Sequence, residues 1–277
     1  MGSISDYLEN ELLDHICNAA YTPASTVYLA LSTADPTDSG GGLAEPSGNG
    51  YARKAISFDA ASSRLINQTS TVTFDEATGS WGTITHYAIM DALSSGNMLA
   101  HGQLSASKQV VSGNTPSVAA GQVDVSFKTL AGKSDTTNNI SNYLANKLLD
   151  FAFRNQSFSA PDTYLAYCTA DLADSDTGST MTECANANGY ARKQVNVNGG
   201  SSPTWDLAAN GTLDNTHDIE QSSPTGSWGT ITALAILDGG THGAGEVLFY
   251  DNGLTEQAPG NGDTVKIEAG NLDLSLT

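Results

Sequence analysis

The side chains of this chain that could do acid–base, nucleophilic or metal chemistry are five histidines, three cysteines and some closely spaced aspartates. His15, His86, His101, His217 and His242 stand in no HExxH pattern. No GxSxG turn, phosphate-binding Gly-rich loop before a Lys, or GxGxxG ahead of a helix accompanies them. Catalysis needs a nucleophile or metal together with its base, so the expectation is a protein without an active site and without a cofactor. Asp171, Asp174 and Asp176 could offer oxygens to calcium. They lack the EF-hand spacing and its closing glutamate, and solvated acidic turns are the stronger reading. Cys17, Cys168 and Cys184 are odd in number and form no CxxC pair, which predicts reduced, buried thiols and leaves a Cys168–Cys184 bond open. Trp81 and Trp228 are each flanked by glycine. They read either as sugar-stacking platforms or, more strongly, as core anchors. Trp205 lies in a segment that differs between the two halves of the chain and is the candidate for a partner or glycan contact.

The elements that carry these residues occur twice. Thr78-Gly79-Ser80-Trp81-Gly82-Thr83-Ile84-Thr85 returns unchanged as Thr225-Gly226-Ser227-Trp228-Gly229-Thr230-Ile231-Thr232, and each copy runs into an apolar strand ending in Asp91 or Asp238. Asn49-Gly50-Tyr51-Ala52-Arg53-Lys54 returns as Asn188-Gly189-Tyr190-Ala191-Arg192-Lys193. The Asn-Gly pair predicts a sharp turn. The strand it starts would place Tyr51 and Arg53, or Tyr190 and Arg192, on one side, and an Arg repeated in an acidic chain is expected to pair with a carboxylate. Ahead of these stands an amphipathic helix. Leu8, Leu12 and Ile16 share a face in the first copy, and Leu144, Leu148 and Ala152 do so in the second. Asp6 with Glu9 has the spacing of a capping box. Asn10 and Asn146 match, as a fixed polar contact or as a solvated helix face. The segments after the Arg motifs, 59–68 and 198–223, differ most, as exposed loops do. Alternating closing strands carry Val123, Val125 and Phe127, or Leu272, Leu274 and Leu276. Each copy reads as one N-terminal helix and several short strands: a mainly β protein of two tandem β-sandwich-like domains, 1–130 and 139–277, joined by a polar linker, 131–138.

The net charge of −19 argues against nucleic acid and anionic lipid as partners. No apolar stretch is long enough to span a bilayer and no secretory leader stands at the N-terminus, so a soluble protein made in a cytoplasm is expected.

Taken together, Tyr7-Leu8-x-Asn10-x-Leu12-Leu13-Asp14, Tyr28-Leu29-Ala30-Leu31-Ser32-Thr33-Ala34-Asp35, the motif 49–54 and the stretch 78–91 resemble a family of small bacteriophage virion proteins commonly labelled phage tail fibre-like. The resemblance covers essentially all of the first copy and most of the second, which departs at Glu183-Cys184-Ala185-Asn186. It implies a non-enzymatic virion protein, assembled in the host cytoplasm, whose partners are other virion proteins. No heptad repeat or β-helical shaft is legible. Fused compact domains therefore suit a capsid decoration protein, with a tail fibre or tail-tip component binding a host glycan or protein as the alternative. A homo-oligomer, in particular a trimer, is expected, since it would present a ring of similar domains.

Overall fold

The computed structural model describes residues 2–127, 139–196 and 205–276. The expected linker 131–138, and residues 197–204 of the divergent segment, lie outside the described residues. The first repeat runs β1 (Ser3–Ile4), α1 (Asp6–Cys17), β2 (Val27–Ser32), β3 (Lys54–Ile56), β4 (Leu65–Asn67), β5 (Val72–Thr73), β6 (Gly82–Met90), β7 (Met98–Val110), β8 (Ser117–Val118) and β9 (Asp124–Ser126). The second runs β10 (Asn139–Ile140), α2 (Asn142–Arg154), β11 (Thr163–Cys168), β12 (Lys193–Asn196), β13 (Thr212–Asp214), β14 (Ile219–Glu220), β15 (Ala233–Leu237), β16 (Val247–Asp251), β17 (Lys266–Ile267) and β18 (Asp273–Ser275).

The fold is mainly β, and the topology of the two repeats is the same strand for strand. A five-stranded antiparallel sheet has the order β1-β7-β6-β2-β3 in one and β10-β16-β15-β11-β12 in the other. Two-stranded ribbons β4-β9 and β5-β8 match β13-β18 and β14-β17. Registers agree as well: Tyr28 faces Met90 and Ser32 faces His86, while Tyr164 faces Leu237 and Cys168 faces Ala233. The central strands are buried on both faces, which explains their continuous apolar runs. One face of the first sheet packs Ala30, Ala88, Met90 and Met98 with Leu43. The second packs Ala166, Cys168, Ala233, Ala235 and Val247 with Met181 and Tyr250. The strands β7 and β16 differ in length. β7 leaves register with β6 after Gln103, resumes at Lys108 and continues to Val110.

The helices start one residue earlier than the Asp6–Glu9 pattern suggested. Ser5 is the cap: its Oγ accepts from the Leu8 amide at 3.3 Å and donates to the Met98 carbonyl. Ser141 does the same, accepting from Leu144 N–H at 3.1 Å and donating to Val247 O at 2.5 Å. A hydroxyl can donate and accept at once, so it ties the helix start to β7 or β16, which a carboxylate could not do. Leu8, Leu12, Leu13 and Ile16 are buried, as are Leu144, Leu148, Leu149 and Ala152.

Compact units and sequence repeats divide the chain differently. Unit 1 consists of the described residues within Met1–Glu9, Thr22–Thr129 and Asn146–Phe158; unit 2, of those within Asn10–Tyr21, Leu130–Ala145 and Ser159–Thr277. Each unit thus holds the sheet of one repeat and most of the helix of the other.

Candidate functional site

The two longest matched motifs build one polar knot in each unit. In unit 1 the Trp81 indole is buried and donates from Nε1 to Asn49 O at 2.9 Å. The Asn49 side chain donates to Ser80 O at 3.1 Å. It lies so close to Gly79 that any Cβ there would meet it at 2.5 Å. Gly82 has φ of 83°, a conformation that L side chains rarely adopt. The Tyr51 ring meets Trp81 edge-on at 5.2 Å. Its hydroxyl donates to Glu45 Oε2 at 2.8 Å and accepts from Leu31 N–H at 2.9 Å. Arg53 stands just before β3 and grips Glu45 through Nε and Nη2 at 3.0 and 2.6 Å, while Nη1 donates to Ala92 O and Ser95 O.

Unit 2 repeats the knot residue for residue. Trp228 Nε1 donates to Asn188 O at 3.0 Å, and Tyr190 meets Trp228 edge-on at 5.2 Å. Arg192 grips Glu183 at 2.9 and 2.8 Å and donates to Gly239 O and Ala244 O. Here the pair is sealed, with side-chain exposures of 0% for Arg192 and 2% for Glu183, against 8% and 21% for Arg53 and Glu45. Burial alone would raise the Glu183 carboxyl, but hydrogen bonds from Arg192 and Tyr190 outweigh it and hold the group below the usual range. Each guanidinium is held by a carboxylate and two carbonyls of its own unit. The knots pin loops to sheets.

A second repeated arrangement sits on the helices, whose Asn and Asp four residues apart share one face. In unit 2, Asn10 Oδ1 accepts from Gly211 N–H and Asp14 Oδ1 from Ala208 N–H, each at 2.9 Å. Asn196 Nδ2 reaches the Ile16 carbonyl near the end of α1 at 3.3 Å. In unit 1, Asn146 Oδ1 accepts from Arg64 N–H and Asp150 Oδ1 from Ala61 N–H, each at 2.8 Å. The Phe58 and Phe153 rings lie 5.7 Å apart. The matched asparagines therefore make a fixed polar contact, and what they hold is a two-residue hairpin turn. Ser63 and Arg64, like Asn210 and Gly211, have positive φ, as a type I′ turn requires.

The acidic loops serve the helix starts. Asp38 O accepts from Asp6 N–H and Asp174 O from Asn142 N–H. Their side chains take His101 Nε2 at 2.8 Å in unit 1 and the Tyr250 hydroxyl at 2.5 Å in unit 2. Asp176 accepts from Ala173 N–H and from Thr180 Oγ1. Asp171, Asp174 and Asp176 do not converge, and among the described residues no group of three or more His, Cys, Asp or Glu is placed to hold a metal. Glu9 is buried, Oε2 lacks a hydrogen-bond partner among the described residues, and the carboxyl is raised to about 7 by burial and by Asp6 and Asp38. All three cysteines are free and buried, so the Cys168–Cys184 bond is not formed. Burial lifts the Cys168 thiol to about 12 and that of Cys184 to about 11.

Trp205 is a correction. At 1% exposure it offers no face to a partner or glycan. It is not unmatched either: it bridges Asn215 just as Phe58 bridges Gln68, so an aromatic anchor occupies this place in both repeats. The equivalence was hidden because the extra residues, 197–204, precede the Trp. An open cavity of about 930 Å³ does exist in unit 1. Gln103, Ser105, Lys108, Gln109, Asn114 and Gln122 line it above a floor of Phe74, Ile84 and Tyr87. Lys108 is the one charged residue in its lining. In the second repeat the counterpart of Gln103 is Asn252, whose amide is tied to both N–H and C=O of Leu172 at 2.9 Å. Pro36 stands at the place of Leu172 and has no N–H to give, which leaves Gln103 to the cavity.

The same small module is thus built twice, from pinned loops and buried aromatics. The model of the family described as podophage GP4 fiber I protein gp80 matches residues 3–126 and again 139–275, and the chain belongs to that family. It is a component of the virion, working with other virion proteins, and none of its described helices is long and apolar enough to cross a membrane. No curated protein matches the chain.

Proposed function

We propose that this chain is a fibre-type component of the virion exterior that supplies compact β modules rather than a shaft. The observation that carries the reading is the match of both repeats, each over nearly its whole length, to a family described as a fibre protein. The described helices, Asp6–Cys17 and Asn142–Arg154, are too short for a coiled-coil shaft. Assembly with itself, as a trimer, is part of this proposal. In it, contact with the host falls to the cavity of unit 1, whose amides, hydroxyls and single lysine suit a saccharide. Capsid decoration is the second reading, favoured by the same compactness and by the duplication. Cryo-electron microscopy of particles labelled with an antibody to the chain tests the two. Label confined to the tail region supports the fibre reading, and label spread over the capsid lattice replaces it with decoration. If a K108A/Q109A chain supports unchanged adsorption, the cavity has no part in host contact.

A further inference from the structure

The helix-to-hairpin contacts are reciprocal. α1 belongs to the first repeat by sequence, yet its Asn10 and Asp14 hold the hairpin 208–211 of the second. α2 belongs to the second repeat, and its Asn146 and Asp150 hold the hairpin 61–64 of the first. The atoms correspond one to one: asparagine Oδ1 on the second turn residue, aspartate Oδ1 on the amide two residues before the turn. We infer that this helix-and-hairpin latch is a pairing surface between repeats, and that it needs no covalent connection. Its partner is another copy of the repeat: the one in the same chain here, or one in a second copy of the chain when the connection does not permit closure.

The chemistry supports this partner over any other. A repeat without its partner would leave two hairpin amides without these acceptors, and in the first repeat the Phe58 ring without Phe153 beside it. The ligand that satisfies all of these is an amphipathic helix carrying Asn and Asp four residues apart, and the other repeat carries one. Connection through one chain adds effective concentration and not new contacts.

Two experiments on the full-length chain test the inference. In the first, N10A/D14A and N146A/D150A chains are compared with the parent by residue-resolved amide hydrogen exchange. The expected result is crossed: N10A/D14A speeds exchange of Ala208 and Gly211 by tenfold or more and leaves Ala61 and Arg64 as they were, while N146A/D150A does the converse. Loss of protection in the mutated helix's own repeat, or equally in both, overturns the inference. Should a double variant not fold, N10A and N146A alone carry the same comparison, each at one amide. In the second experiment a protease site is inserted within 131–138 and cut after folding. Halves that stay together in native mass spectrometry, and part only in denaturant, are expected. Halves that part and remain folded as monomers overturn the inference.

Discussion

The two Arg–Glu knots offer a comparison, because they share the Arg–Glu, Arg–carbonyl and Tyr–Glu hydrogen bonds and differ in how far water reaches the carboxylate and in the Gly243 N–H and His242 ring that approach Glu183. Replacing Arg192 with Met keeps the volume and removes the charge. It leaves Glu183, 2% exposed, with the Tyr190 hydroxyl, the Gly243 N–H at 3.4 Å and the His242 ring 3.7 Å away, and frees the Gly239 and Ala244 carbonyls. Removing one partner of a buried pair costs about 3–5 kcal/mol, and this pair belongs at the upper end. R53M strips the same donors from unit 1, but Glu45 is 21% exposed and can be rehydrated. We expect a loss about 1–2 kcal/mol smaller there, since a solvent-reachable charge is screened. Amide exchange in β6 and β15 under rising urea reads the opening free energy of each unit separately. The pH dependence adds a signed check. The folded Glu183 carboxyl lies below its unfolded value, so its contribution is present above about pH 4.3. It is lost as pH falls through the depressed folded value. The gap between R192M and the parent should therefore be widest near neutrality and narrow in acid, and R192M/E183L should recover much of the loss. Equal costs in the two units, or a cost for R192M below about 1 kcal/mol, would refute the reasoning from burial.

Glu9 has the opposite sign. Its folded carboxyl is raised to about 7, so the stability of the protonated form is full below the ordinary glutamate value and disappears as pH rises through 7. E9A, which places in α1 the residue that α2 carries at Ala145, should flatten that dependence and stabilise unit 1 by about 1 kcal/mol at pH 8, after allowance for solvent screening, as read by thermal melts across pH. Ser63→Asn should stabilise the first hairpin by about 0.5–1 kcal/mol, because Asn tolerates positive φ better than Ser and already stands at position 210; urea midpoints check it, and a destabilised variant would mean the turn is held by something else. W81A and W228A should each cost about 3–5 kcal/mol in their own unit, and an unchanged melt in either would return that ring to the surface-platform reading.

Much of this was legible in the residues themselves. The strand runs, the Asn-Gly turns and the Trp stretches depend on backbone conformation and local periodicity, which neighbours in sequence determine, and the duplication announced itself by identity. The Arg53 and Arg192 partners were legible only as a type, a carboxylate. That they are Glu45 and Glu183 follows from how the acidic loops fold back. Trp205 was misread because its equivalent, Phe58, is a different aromatic ahead of a hairpin with different turn residues. The decisive undetermined quantity was which hairpin each helix holds. Asn10 and Asn146 carry the same side chain on the same face, and both hairpins present amides in the same geometry. A helix docked on its own repeat and one docked on the other would bury like residues and form like bonds. Local sequence is blind to that difference. Only the path of the chain in three dimensions, which sets which amides come within 3 Å of each asparagine, selects the exchange.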